Sequence, residues 1–186
     1  TGLLDFSRVR TGDRVMTDIA EVVRSAANLI SHQKRGNQIT INVDIADSLP
    51  QISADGGQIQ QAIIALATNA IDAMPGGGTL TFETGNAELT PAETIAHPGV
   101  EPGRFVRLLV TDSGIGMDSE VASRAFEPMF TTKASGQGTG LGLATVYTIV
   151  TQAGGMIDLS SAPGRGTSIE IHLPASQSSR TASPRP

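Results

Sequence analysis

Cysteine and tryptophan are absent from the 186 residues, tyrosine occurs once and phenylalanine five times. Without cysteine there is no disulfide scaffold, no thiolate metal site and no sulfur nucleophile. With aromatics at 3%, a core has to be built from Ile, Val, Leu and Ala. Charged residues are also sparse, 17% against 39% hydrophobic, which excludes a chain held open by charge repulsion and suits a compact fold. No apolar run approaches the length of a bilayer crossing, and Thr1–Phe6 shows no basic leader ahead of an apolar stretch. Lys and Arg number 13 against 18 Asp and Glu, a formal charge of -5 that argues against a nucleic-acid partner. A phosphate ligand would need a purpose-built site.

Glycine is plentiful at 21 residues, clustered at 76–78, 114–116, 136–142 and 154–166. Between the clusters the periodicity changes in a readable order. Residues 1–13, with Leu3, Leu4 and Phe6, read as the end of a helix and a linker belonging to a preceding domain. Asp18 caps a helix to about Lys34, with Val22, Ala26, Leu29 and Ile30 on one face and Gly36 as its stop. Alternation over 38–46 gives a strand, and a short strand at 50–54 leads to Asp55, the cap of a long helix ending near Met74. Strands follow at 79–86 and 104–111, separated by a Pro- and Gly-rich loop over 87–103 with room for a turn of helix. A short helix near 118–125, a helix from Gly140 to about Ala153, and strands 155–161 and 167–173 joined by Ala162–Arg165 complete the domain, 14–174. From Ala175 the Ser/Pro/Arg composition predicts a disordered tail, 175–186. Three main helices and about six strands in mixed order predict an α+β two-layer sandwich: a mixed, mostly antiparallel sheet covered on one face by the helices.

Three short patterns carry the chemistry. In the helix 55–74, Ile59, Ala62, Ile63, Leu66, Ala70 and Met74 form an apolar stripe, and Asn69 stands at its edge. Its amide serves equally as a hydrogen-bond partner for a loop or as an oxygen ligand for a hard divalent cation. Asp112-x-Gly114-x-Gly116 puts a carboxylate at a strand end beside two positions without Cβ. That suits the exocyclic amino group of a base lying flat against backbone, and an Asx-turn explains the same pattern. Gly136-Gln-Gly-Thr-Gly-Leu-Gly-Leu143 places four glycines at the start of a helix, where each costs about 1 kcal/mol unless its bare amide has a partner such as an anion. A flexible hinge is the other explanation. No Gly-Lys-Ser/Thr follows and no strand immediately precedes, so neither a Walker loop nor a dinucleotide fingerprint fits. Lys133 just ahead of this loop can reach the same anion as a point charge, and Phe126 and Phe130 anchor the intervening segment.

In this order, Asn69, Asp112-x-Gly114-x-Gly116, Phe126–Lys133 and Gly136–Gly142 resemble the N, G1, F and G2 boxes of the catalytic ATP-binding domain of sensor histidine kinases, which have the Bergerat fold. The resemblance spans roughly 15–174, and Leu3–Arg8 resembles the end of the dimerisation domain's second helix. It implies ATP and Mg²⁺ as ligands. Asp112 would accept the adenine amino group, Gly114, Gly116 and Met117 would shape the base pocket, and Thr167, in Gly164-x-Gly166-Thr167, would assist through water. Asn69 would ligate Mg²⁺, with Lys133 and the backbone of Gly138, Thr139, Gly140, Leu141 and Gly142 around the phosphates, and 131–139 would form the ATP lid.

The implied activity is transfer of the γ-phosphoryl group to a histidine. His32, His97 and His172 all lack the His-Glu/Asp-x-x-x-Pro setting of the acceptor and read as surface or loop residues, so the acceptor is expected on a separate dimerisation domain. A response regulator downstream, a monomeric fragment of a homodimeric parent, and a cytoplasmic location whether or not that parent is membrane-anchored follow from the same resemblance. One departure is Ala65, where the family often has a second Asn and related ATPases have a catalytic Glu. Without a carboxylate there, no general base for water is evident. A nucleotide-binding adaptor without transfer activity and an anti-sigma-type serine kinase are the alternatives.

Overall fold

The structure, a computed structural model, describes residues 14–33, 38–133 and 138–176. The expectations for residues 1–13, for Gly36 as a helix stop and for 177–186 lie outside these residues. In chain order the elements are β1 (Val15–Thr17), α1 (Ile19–Gln33), β2 (Ile39–Ile45), β3 (Ile52–Ala54), α2 (Gly56–Asp72), β4 (Gly78–Leu89), α3 (Pro91–Thr94), β5 (Gly103–Asp112), α4 (Ser119–Arg124), α5 (Gly142–Gln152), β6 (Met156–Ser161) and β7 (Thr167–Pro174). Five strands form one sheet in the order β2-β4-β5-β7-β6, parallel between β2 and β4 and antiparallel elsewhere. The α+β sandwich with a mixed, mostly antiparallel sheet is therefore observed.

α2 is the middle helix, packed between α1 and α5. Asp55 starts it by accepting from the amides of Gly57 (2.9 Å) and Gln58 (3.2 Å), as an N-cap should. Its stripe Ile59, Ala62, Ile63, Leu66, Ala67 and Ala70 is buried, and the alanines let neighbouring helices approach closely. Beneath it lie Leu80 and Phe82 of β4, Val106, Leu108 and Val110 of β5, and Ile169, Ile171 and Leu173 of β7, every second residue in each strand.

Several boundaries differ from those expected, each for a physical reason. On α1 the buried face is Ile19, Val23, Ala26, Ala27 and Ile30, whereas Leu29 is 47% exposed. At 100° per residue Leu29 falls outside the stripe that these five residues define. α5 begins at Gly142 because Gly140 has φ +64°, outside the right-handed helix. β1 had no periodicity to reveal it, since three residues are a strand only through pairing with β3. Ala175 and Ser176, placed in the tail by composition, bond instead to Arg104 O (2.9 Å) and Gln51 O (2.7 Å).

His172 corrects a further expectation. It lies on β7, only 5% exposed, rather than on the surface. Strand alternation turns it to the face away from α2, where Leu89, Phe105 and Met156 form a second small cluster with Val100 from the β4–β5 connection. Its Nε2 lies 3.3 Å from Glu170 Oε1, its ring meets Phe105 edge-on, and Nδ1 has no hydrogen-bond partner among the described residues. Burial pushes its pKa down despite the nearby Glu170.

Two outcomes follow from this packing. Phe82→Ala empties a fully buried site and should cost about 3–5 kcal/mol in urea unfolding. Because the folded pKa of His172 is depressed, its neutral form contributes stability above the unfolded value of about 6.5, and that stability is lost as pH falls toward the folded pKa. His172→Gln should flatten the decline in melting temperature below about pH 6.5, and an unchanged slope would show that His172 has no part in it.

Candidate functional site

At one end of the sheet, three register partners on β5, β7 and β6 are polar: Asp112 pairs with Thr167, and Thr167 with Ser161. Alternation places them on the helix-facing side with Val110, Ile169 and Leu159, so an apolar surface ends in a polar row. Asp112 is 8% exposed. Its Oδ1 accepts from Gly114 N (2.8 Å) and Thr167 N (3.3 Å), while Oδ2 has no hydrogen bond among the described residues. Burial pushes the carboxyl pKa up, only partly offset by the two N–H donors. Ser161 Oγ donates to Gly166 O (2.9 Å), accepts from Met117 N (2.8 Å) and lies 2.9 Å from Thr167 Oγ1.

The glycines after Asp112 serve packing rather than an open surface. A Cβ at Gly114 would lie 2.7 Å from Ala73 O, the carbonyl at the end of α2 that also accepts from Ile115 N at 3.0 Å. Gly116, at φ +67°, approaches the β6–β7 turn so closely that a Cβ would lie 2.0 Å from Ala162 O. The loop is thus wedged between α2 and that turn.

One helical turn before Ala73, Asn69 lies against the start of α5: a Cβ at Gly142 would sit 3.3 Å from its Nδ2. Lys133 Nζ pairs with Asp72 Oδ2 at 2.5 Å, which brings it to the same turn of α2. Its stem runs past Gly138, where a Cβ would be 3.0 Å from Lys133 Cδ. Gly140 O accepts from Met129 N (2.9 Å), and Met129 itself has φ +66°, a strained value for a side-chain-bearing residue. Phe126 stacks near Tyr147 at 5.7 Å, and Arg124 covers Phe130 at 4.3 Å, so both phenylalanines hold this segment down. Whereas Asp18, Asp55 and Asp118 bond the first amides of α1, α2 and α4, the cap of α5 is Leu141, with no side-chain bond to its amides. Thr139 Oγ1 reaches only Leu141 N, at 3.4 Å. A helix start left in this state favours an anion.

The last turn of α2 therefore joins two groups. Asp112, Gly114, Gly116, Met117 and Thr167 lie on its sheet side; Asn69, Lys133, Gly138, Thr139, Gly140, Leu141 and Gly142 gather at the start of α5. Residues 134–137 of the expected lid lie outside the described residues. The histidines sit elsewhere: His32 bonds Asn28 O on α1 (2.7 Å) and His97 meets Asp158 (3.5 Å). Two participants were missed. Asp72 carried a faint signal, an acid one turn after Asn69, whereas Ser161 had none before strand register aligned it with Thr167. Asp112→Asn keeps an oxygen to accept from Gly114 and Thr167 but removes a buried charge. Because the folded pKa is raised, the carboxyl's contribution is present below the unfolded value and lost as pH rises through the folded one. Thermal melts at neutral pH should show Asp112→Asn as stable as the unaltered chain or more so, with that advantage shrinking in acid.

Known proteins resemble this chain in sequence and in fold. Residues 54–177 match the family described as histidine kinase-, DNA gyrase B-, and HSP90-like ATPases. The sensor kinase CckA of Brucella abortus is 38% identical over 172 residues, which cover 92% of this chain and 18% of that protein. The catalytic domain of histidine kinase ThkA superposes with a TM-score of 0.69 at 24% identity, covering 88% of this chain and 99% of that one. Full-length ShkA in complex with AMPPNP gives 0.65 at 28% identity, over 87% of this chain and 31% of that one. A five-strand sandwich, a buried carboxylate beside the end of α2 and an uncapped glycine-rich helix start, together with these matches, establish that the chain belongs to the family of histidine kinase-, DNA gyrase B-, and HSP90-like ATPases.

Proposed function

We propose that this chain binds Mg-ATP and acts as the catalytic domain of a sensor histidine kinase, delivering the γ-phosphoryl group to a histidine on a separate dimerisation and phosphoacceptor domain. The observation that carries this reading is the convergence on the last turn of α2, with Asp112 on one side and the uncapped start of α5 on the other. A nucleotide spanning the two would put its base at the carboxylate and its phosphates at the bare amides. ShkA, similar over 87% of this chain, is in complex with AMPPNP.

Each residue then has a role. Asp112 accepts the adenine amino group, Met117 and the Gly114–Gly116 backbone bound the base, and Thr167 adds an acceptor. The amides from Gly138 to Gly142 and the Lys133 ammonium meet the phosphate chain, with Lys133 leaving Asp72 to do so. Asn69 Oδ1 would hold Mg²⁺, a hard cation that takes oxygen ligands and keeps several waters. When bound, Mg²⁺ would neutralise phosphate charge. In the transfer, the bond between the γ-phosphorus and its bridging oxygen breaks, a bond to the acceptor imidazole nitrogen forms, and ADP leaves with that oxygen. Asn69 and Lys133 act here by positioning and charge, which dominate phosphoryl transfer. Ala65 supplies no base to activate water, so transfer is favoured over hydrolysis.

No described helix is long and apolar enough to cross a membrane. The proposed setting is the cytoplasm, where ATP is available, with this portion monomeric, its parent homodimeric and a response regulator receiving the phosphoryl group.

Thermal shift and labelled transfer test the proposal. ATP with Mg²⁺ at ~100 times its Kd should stabilise the chain by about 2.7 kcal/mol; Asp112→Asn should abolish the shift, and Lys133→Ala should weaken ATP while sparing adenosine. Label should pass from γ-labelled ATP to a supplied histidine-bearing dimerisation domain. No stabilisation by any nucleotide overturns the site, whereas binding with no transfer leaves an adaptor.

A further inference from the structure

From the proton count around Ser161 we infer that this residue, through Thr167, fixes the hydrogen-bond polarity of the base pocket and so selects a 6-amino purine over a 6-oxo purine. The inference rests on the nucleotide reading above. Ser161 Oγ stands between a group that can only accept, Gly166 O at 2.9 Å, and one that can only donate, Met117 N at 2.8 Å. Its single hydrogen goes to the carbonyl, and the amide fills one lone pair. What remains toward Thr167 Oγ1, 2.9 Å away, is a lone pair, so the threonine hydroxyl must give its own hydrogen to Ser161.

Thr167 is then left with lone pairs only. Its neighbour in the row, the ionised Asp112 carboxylate, also offers only acceptors, and Thr167 N is already directed to Asp112 Oδ1 at 3.3 Å. A pocket wall built from two acceptors matches an exocyclic amino group, directly or through a water whose hydrogens point at the wall. It repels a carbonyl at the same position, which would bring a third acceptor against them. Without Ser161, the Thr167 hydroxyl is free to rotate and donate, and the discrimination weakens. Ser161 is thus a positioning residue: it need not touch the base, and it acts through the direction of one hydroxyl.

Dissociation constants for ADP and GDP on the whole chain give the readout, since the two share their phosphates and differ at the base. The unaltered chain should prefer ADP. Ser161→Ala should lower the ADP-to-GDP preference about tenfold, the scale of one mispaired polar group, while Ser161→Thr, which retains the hydroxyl, should restore it. Should alanine fail to fold by circular dichroism, Ser161→Cys, a weak donor of similar size, carries the same expectation. In a Thr167→Val background, adding Ser161→Ala should leave the preference where Thr167→Val put it. Equal loss of ADP and GDP affinity in Ser161→Ala, or a change in preference that persists without Thr167, would overturn the inference. An unaltered chain that binds neither nucleotide fells the nucleotide-site reading itself; one that prefers ADP while Ser161→Ala leaves the preference unchanged fells only this inference.

Discussion

The site depends on how closely the 112–116 loop approaches the carbonyl end of α2. Ala73 O accepts from Ile115 N at 3.0 Å, and the approach is open only because position 114 has no Cβ. That contact fixes the distance from Asp112, held by β5, to Asn69, one helical turn back along α2. A side chain at Gly114 would push the loop off the helix and separate the two ends that a nucleotide has to bridge. α2 is in turn held by its alanine-rich stripe between α1 and α5, so the precision of the site derives from the core.

The two ends leave backbone and carboxylate partly unmatched in different ways. Asp112 is buried with one oxygen uncommitted, and its raised pKa registers what the fold gives up to hold a charge there. α5 starts without the aspartate that caps each of α1, α2 and α4. Local rules are relaxed at these two places, which is the pattern expected where a ligand completes the hydrogen bonding.

The sheet separates this site from a second chemical environment. On the far face, His172, Phe105, Met156 and Leu89 lie under the β4–β5 connection, with Arg107 and Glu170 paired at 3.1 Å beside them. The buried histidine belongs to that face, away from the polar row, and its titration bears on stability rather than on the proposed phosphoryl chemistry.

Local sequence determined much of this. Asp18 and Asp55 were legible as caps because a cap needs only an acceptor and the next few amides, and the α2 stripe was legible because 3.6-residue periodicity is a one-helix property. The alternating strands and the four ordered motifs were legible for the same reason, each being contained within a short stretch. Tertiary structure decided what depends on pairing between distant segments. β1 exists only against β3, Leu29 faces out because the packing of α1 on α2 and β2 buries the stripe beside it, and Lys133 meets Asp72 across 61 positions. His172 meets Phe105 only because β5 and β7 pair. The row of Asp112, Thr167 and Ser161 required strand register, since a hydroxyl's direction is set by neighbours that no single stretch of chain contains.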